Sequence, residues 1–473
     1  MNIGNFYITP RVVEADSITE ISISGNYPHT DLRGMESGLI LEAVGADGLF
    51  SNGQLPGLTC GNGYDLKRPW FETVGFDGFE KDGVLRFKYL FRGIGEHNFR
   101  LRCGERIVLE FSVFSIKKEY LKLRPFRGDM HLHSGYSCCC QDKDRWSPEY
   151  LAAKNCELGM DFISISDHKQ YLPSLKAVDF AGQCDGCFRA YPGEEVHLSD
   201  LHNIHVLNFG GGRGISCRLK NSDPEYSPSL TKYLKQIPDF KDEWLNHMAA
   251  NFLLIRERIR EADGLMVFCH PFWTPSQRLF MPECIREYVL EQNCFDCIEV
   301  FGDAKFRESN DLCAARYLEL CMKVQQMIPA VGNNDAHKEC ELAVNSTVVF
   351  AERNELPLIK AAITEGKSIA ENSFAGEFPR TSGSLELVSY YHFLRRNYYP
   401  RHDALCRNEA EYMFEMLASG GIDHDYCTFI RLPYPQHVDC GRTHIPRKFE
   451  TDPGKAAVVR NARIRLDKEF WGS

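Results

Sequence analysis

From about residue 124 to residue 372 the chain alternates short apolar runs with helical segments, and the runs repeatedly end in a histidine or a carboxylate. Phe162–Ser166 leads into Asp167-His168, and Leu265–Cys269 into His270-Pro271. Cys297–Phe301 and Met327–Val331 are two further runs. Alternation of this kind implies an α/β fold. Helix signals lie between the runs. Ser147-Pro148-Glu149 offers an N-cap, a proline at the first helical position and an early acid, which predicts a helix through about Leu158 that stops at Gly159. In an α/β barrel the C-terminal ends of the strands share one rim, so groups standing there converge.

The groups at those ends are metal-binding types. Asp129-Met130-His131-Leu132-His133 is an HxH at the end of a short strand. Alternate strand residues share a face, so both imidazoles can reach one ion. Glu194-Glu195, His205 and Asp335-Ala336-His337 stand at comparable places. Mixed nitrogen and oxygen donors suit Zn, Mn or Fe better than Mg or Ca. A single histidine at a strand end is most often a hydrogen-bonded structural residue. Five strand ends carrying histidine or acid in one region are not explained that way. Near them stand Lys169, Arg145, Lys338 and Arg213, the last inside the glycine-rich Gly210–Gly214, as candidate contacts to an anionic substrate. His197, two residues after Glu195, shares its strand face and is a further substrate-contact candidate. His202 reads as solvent-facing, and Trp273 as a wall of the pocket or a core residue.

In order, these residues resemble the motifs of the PHP (polymerase and histidinol phosphatase) superfamily. The first motif is matched by Asp129-Met130-His131-Leu132-His133-Ser134 and the second by Ser166-Asp167-His168. The third is matched by Pro192-Gly193-Glu194-Glu195 with His205, and the fourth by Asp335-Ala336-His337, preceded by Cys269-His270-Pro271. The resemblance implies a distorted TIM-like (β/α)7 barrel and two or three divalent metal ions. It implies that His131, His133, Glu195 and Asp335 hold the first ion. Glu195 would bridge to a second held by His205 and His270, with His168 and His337 on a third. Asp167 would orient an imidazole by hydrogen bond, and Asp167, His168 and His337 are the catalytic candidates. Glu195 is chosen over Glu194 on the family's Gly-x-Glu spacing. One departure stands out. The family places an Asp or His about five residues beyond the HxH, where this chain has Cys138 within Cys138-Cys139-Cys140. Cys138 or Asp142 could substitute, or the third position could be empty; Asp142 is carried forward.

The implied function is hydrolysis of a small phosphate mono- or diester by a metal-bridged hydroxide. Two alternatives come with it: a metallohydrolase acting on a carboxylic ester, carbamate or amide, and a metal-stabilised binding module without catalysis.

The rest of the chain reads differently. Residues 1–120 carry short alternating segments, Thr19–Ser24, Gly38–Val44, Val84–Phe91 and Ile107–Ser115, separated by turn residues. That predicts an antiparallel β-sandwich domain with a structural, oligomeric or substrate-gating role. Residues 121–372 form the metallohydrolase domain, within which about 226–262 reads as a polar helical excursion. Residues 373–473 form a partly helical C-terminal extension rich in Tyr, Arg and His. The net charge of −10 argues against an extended nucleic-acid groove. No stretch approaches the ~20 apolar residues of a membrane span, and the N-terminus has no signal-peptide pattern, so a cytoplasmic location is expected. The nineteen cysteines then read mostly as reduced, buried thiols. The two CxxC pairs, Cys184/Cys187 and Cys294/Cys297, are secondary metal candidates. A homo-oligomer is compatible with all of this.

Overall fold

The computed structural model describes residues 6–27, 30–33, 38–50, 52–54, 71–76, 79, 83–140, 146–197, 204–274, 281–374, 377–419 and 448–472. The chain divides into two compact units. One comprises Met1–Leu123, Val388–His402 and Asn461–Ser473; the other comprises Arg124–Leu387 and Asp403–Arg460.

Among the described residues the first unit begins with eight strands: β1 (Phe6–Thr9), β2 (Val12–Glu14), β3 (Ser17–Gly25), β4 (Leu39–Val44), β5 (Glu72–Val74), β6 (Leu85–Phe91), β7 (Gly95–Cys103) and β8 (Arg106–Ile116). They form a three-stranded sheet, β1-β3-β6, and a five-stranded sheet, β2-β8-β7-β4-β5. All pairs are antiparallel except β2 with β8. Burial alternates along β6 and β7 as one-sided sheets require. The buried faces meet in a shared core, where Phe87 of one sheet lies 5.4 Å from Phe99 of the other and Phe99 stacks on Phe111 at 5.1 Å.

The second unit carries β9 (Arg124–Leu132), β10 (Phe162–Ile165), β11 (Arg189–Tyr191), β12 (Glu195–Val196), β13 (Val206–Phe209), β14 (Leu265–Phe268), β15 (Cys297–Phe301), β16 (Ala330–Gly332), β17 (Asn345–Ala351), β18 (Ser368–Asn372) and β19 (Arg380–Ser382). Between them run α1 (Pro148–Glu157), α2 (Leu172–Cys184), α3 (Tyr226–Leu234), α4 (Glu243–Glu261), α5 (Glu283–Glu291), α6 (Arg307–Val324) and α7 (Leu356–Thr364). Helix α1 starts as its sequence requires. The Ser147 hydroxyl accepts from the Tyr150 N–H, and the chain leaves the helix through Gly159 at φ 88°. Strands β10, β13, β14 and β15 are buried along their whole length, which is why they read as unbroken apolar runs.

The strands order as β11-β10-β9-β17-β18-β19 and β12-β13-β14-β15-β16. Among the described residues a closed TIM-like barrel is therefore not found; the fold is mixed α/β, with two sheets described in this unit. The two sheets are joined by isolated parallel bridges, Leu132 with Ala336 and His168 with Glu195. Longer ladders do not form there because β12 and β16 are only two and three residues long before the chain turns into side-chain-bearing loops. The polar segment 226–262 also differs from expectation. Helix α4 buries Met248, Phe252, Ile255 and Ile259 in the core beside β14 and is no excursion from it.

Among the described residues three helices follow: α8 (Leu385–Asn397), α9 (Tyr399–Ser419) and α10 (Pro453–Trp471). Their parts within 388–402 and 461–473 pack on the first unit. Phe114 lies 5.1 Å from Tyr390 and 5.4 Å from Phe393, and the Arg11 guanidinium donates to Asn397 at 2.6 Å. Tyr390, Tyr391, Tyr398 and Tyr399 are fully buried, which accounts for the aromatic richness of this region. Among the described residues no helix is long and apolar enough to cross a membrane.

Candidate metal centre

The two bridges that stop short of closing the sheets are where the ligand-type residues meet. The His133 N–H donates to the Ala336 carbonyl at 3.1 Å, setting the HxH beside Asp335-Ala336-His337. The Lys169 N–H donates to the Glu195 carbonyl at 2.9 Å, setting His168 beside Glu195. The Cys269 N–H reaches the His205 carbonyl at 3.3 Å, which brings His205 next to His270. Two of these positions are held in left-handed backbone, His270 at φ 24° and Asp335 at φ 50°. Neither is glycine, and His270 precedes a proline, so the local strain is supported by the surrounding packing.

Glu195 is the hub. Its Oε2 faces His131 Nε2 at 3.5 Å, His133 Nε2 at 3.3 Å and His168 Nδ1 at 2.5 Å. Its Oε1 faces His205 Nδ1 at 2.7 Å and His270 Nε2 at 3.8 Å. Asp335 Oδ1 lies 2.9 Å from His133 Nε2 and 3.3 Å from His131 Nε2, and Oδ2 lies 3.9 Å from His270 Nε2. Among the described residues, donor atoms gather here into four overlapping sets: His131, His133, Glu195 and Asp335; Glu195, His205 and His270; His133, Cys139, His168 and His337; and His131, Cys269 and Glu299. Within each set every donor atom lies within 4.8 Å of the others. Neither CxxC pair falls in such a set among the described residues.

The arrangement suits divalent cations. His131 Nε2, His168 Nδ1, His270 Nε2 and both Glu195 oxygens are buried without a properly aligned hydrogen bond. Each such atom costs ~1–3 kcal/mol unless something satisfies it. Five of them aimed at one small volume, all of them nitrogen and oxygen donors, match what a divalent metal ion requires.

The electrostatics agree. Burial alone would lower the His131 and His133 pKa values. The Glu299 and Asp335 carboxylates nevertheless raise His131 well above the ordinary range, and Asp335 with Glu195 pushes His133 up to about 9. Burial would raise Glu195 and Asp335, yet the surrounding imidazoles hold both well below the usual carboxylate range. The pocket thus demands positive charge, which protons or metal ions can provide. His337, half-buried and close to His133, is lowered to about 3 and stays neutral, as a ligand must. Its Nδ1 lies 2.8 Å from the Asp335 carbonyl, so that nitrogen carries the proton and Nε2 keeps its lone pair.

Behind the donors stands a layer of hydrogen-bonding groups. Glu299, fully buried in β15, accepts from His131 Nδ1 and Asn333 Nδ2 through Oε1, and from the His270 N–H through Oε2, each at 2.9 Å. An imidazole tethered to a carboxylate in this way presents its other nitrogen to a metal. Sequence reasoning missed Glu299, although a lone acid inside the apolar run Cys297–Phe301 was a usable signal. It also missed Ser137, whose Oγ lies 3.2 Å from His133 Nδ1, and Cys139. Asp129 accepts from the His131 N–H at 3.0 Å and from Asn334 Nδ2 at 2.6 Å, and burial pushes its pKa up to about 7. Asp167 accepts from the Ser134 N–H and hydroxyl at 2.6 and 2.5 Å; it bonds the backbone of the HxH loop and no imidazole.

The other predicted residues are scattered. Glu194 turns away from Glu195 and accepts from the Ile215 N–H at 2.5 Å and the Ser216 hydroxyl at 2.7 Å, tying down the glycine-rich loop. Arg213 in that loop is half exposed and faces Glu261 at 3.7 Å. His197 packs against the rings of His168 and His205 at 4.7 and 5.0 Å, with both nitrogens buried and unbonded. Lys169 follows His168 at φ 57°. Lys305, which the sequence did not single out, pairs with Glu341 at 3.4 Å, and its charge acts on His337. Trp273 stands 5.3 Å from the His270 ring and 5.9 Å from His205. Cys138 is exposed. Asp142, Arg145 and His202 lie outside the described residues.

No known family model matches the chain, and no curated protein does. Several solved structures are similar to it. One is a two-domain protein of Bacteroides vulgatus containing a predicted PHP-like metal-dependent phosphoesterase, at 16% identity over 57% of this chain and 70% of that one, with a TM-score of 0.36. Another is a lesion-specific endonuclease of Pyrococcus furiosus, at 17% identity over 51% and 56%, with a TM-score of 0.30. A third is an amidohydrolase of Chromobacterium violaceum with bound sulfate and no metal, at 12% identity over 44% and 87%, with a TM-score of 0.28.

Proposed function

We propose that this chain is a metal-dependent hydrolase of small phosphoric esters, built on an opened PHP-type barrel. The observation that carries the proposal is the division of Glu195, whose two oxygens face separate imidazole sets. A carboxylate so placed would serve two neighbouring cations, one that His131, His133 and Asp335 would hold and one that His205 and His270 would hold. Divalent ions held there acidify water and neutralise charge developing on phosphoryl oxygens.

The chain's own residues do the rest. Glu299 and Asp129 hold the HxH rigid, so the donors need no reorganisation when substrate arrives. His168 and His337 are partly exposed beside the inner donors, where neutral imidazoles can hold a further cation near the substrate. Asp167 keeps Ser134 and the following loop in register with His168. Lys169 and Lys305 bring positive charge toward the site imidazoles and favour an anionic substrate. His197 lies beside His168 as a further contact.

The test combines elemental analysis of the purified protein with a screen of phosphate monoesters, phosphate diesters, carboxylic esters and amides. About two or more equivalents of Zn, Mn or Fe, with turnover of a phosphate ester that His131→Ala abolishes, is the expected result. Turnover only of carboxylic esters or amides would replace the phosphate assignment, and full activity in His131→Ala would remove the site.

A further inference from the structure

The donor set His133, Cys139, His168 and His337 contains a sulfur that neither the sequence reading nor the reaction above employs. Building on the divalent-metal reading of the site, we infer that Cys139 supplies a thiolate to a third metal position shared with His168 and His337. That position would take thiophilic ions such as Zn2+, Co2+ or Cd2+ in preference to Mn2+ or Mg2+.

Three features carry this. First, His133 Nε2 is already shared between Asp335 at 2.9 Å and Glu195 at 3.3 Å, and His168 meets Glu195 through Nδ1 at 2.5 Å, so the Nε2 atoms of His168 and His337 and the thiol are the donors for a separate ion. Second, Cys139 is tethered to the inner frame. Its Sγ lies 3.1 Å from the hydroxyl of Ser137, a fully buried residue whose Oγ also lies 3.2 Å from His133 Nδ1 and accepts from the His168 N–H at 3.4 Å. One serine thus sets the spacing among the thiol, the first-ion histidine and the third-ion histidine. Third, neither neighbouring cysteine falls in the donor set, and the Cys138 thiol stands within hydrogen-bonding reach of Cys139. Cys140 is buried with its Sγ toward the carbonyls of His133 and His337, at 3.9 and 3.8 Å, and Cys138 is exposed.

His337 suits the role because its Nδ1 is spent on the Asp335 carbonyl, leaving Nε2 to bind. Cys139 is itself exposed, so the position lies at the mouth of the site. Three protein donors at a solvent-facing position leave room for a water or a substrate oxygen, as in catalytic zinc sites. Binding breaks the S–H bond, forms the S–metal bond and releases the proton to solvent.

The experiment is a Co2+ titration of the metal-depleted full chain followed by optical spectroscopy, with Cys139→Ser, Cys139→Ala and Cys138→Ala in parallel. Far-UV circular dichroism checks that each variant is folded. The expected result is a sulfur-to-cobalt charge-transfer band in the near ultraviolet for the unmodified chain and for Cys138→Ala. Both Cys139 variants should lack the band and bind the last equivalent at least ~10-fold more weakly, the minimum expected when even a supporting group is removed. Cobalt binding without the sulfur band, or a band that survives in Cys139→Ser, overturns the thiolate assignment alone. No cobalt uptake at all overturns the metal reading of the whole site.

Discussion

Substituting Glu299 with glutamine tests whether the hydrogen-bond partner of His131 organises the site for metal. Glutamine keeps the volume of this fully buried side chain but replaces one acceptor oxygen with a donor amide. In the native site one oxygen takes two donors, from His131 and Asn333, and the other takes the His270 N–H, all at 2.9 Å. Either orientation of the amide therefore sets N–H against N–H at one end. A buried donor left without an acceptor costs ~1–3 kcal/mol. The His131 ring also loses the anionic partner that fixes its Nε2 toward Glu195 and Asp335. Loss of such a supporting carboxylate typically weakens metal affinity ~10–100-fold, or ~1.4–2.7 kcal/mol. The assay is zinc competition against a chromophoric chelator, with thermal unfolding of the metal-free forms run alongside. Zinc affinity within twofold of the unmodified chain, in a Glu299→Gln protein of normal fold, would refute the reasoning.

Other perturbations have equally definite outcomes. Chelation should abolish hydrolysis and lower the melting temperature, since free metal at 100 times its dissociation constant contributes ~2.7 kcal/mol to the folded state; an unchanged melt contradicts this. Asp335→Asn should reduce ester turnover by at least ~10³-fold through lost charge stabilisation, with little change in secondary structure by circular dichroism. In the first unit, His97 accepts from the Ala46 N–H at 3.3 Å and lies 2.8 Å from Ser115 Oγ, and burial lowers its pKa to about 4. Unfolded, it takes up a proton near pH ~6.5. Stability is therefore complete above that value and falls by ~3 kcal/mol as the pH drops from 6.5 toward 4. His97→Gln should flatten this part of a urea-unfolding pH series. Ser147→Ala removes the cap on the Tyr150 N–H at 3.1 Å and should cost ~1 kcal/mol in the same assay.

Much of the α/β unit was legible because its signals are local. The start of α1 follows from Ser147-Pro148-Glu149, and its end from the left-handed tolerance of Gly159. The buried strands appear as unbroken apolar runs because both faces are covered. Alternation in 85–91 and 107–115 marks strands with one wet face. The helix over 243–261 reads as polar because charged residues crowd positions 256–261, although an apolar stripe through Met248, Phe252, Ile255 and Ile259 packs beside β14.

By itself, the order of residues determined that histidines and acids stand where buried strands meet turns, since that depends only on spacing along the chain. Only the tertiary structure decided which of them share space. That Oε1 and Oε2 of Glu195 face different imidazoles, that Glu299 steadies His131 from 168 positions away, and that Cys139 rather than its neighbours turns toward His168 and His337 all follow from how separate strands register. Two single-residue bridges set that register, and nothing in the spacing of residues along one strand encodes the height at which another strand will meet it.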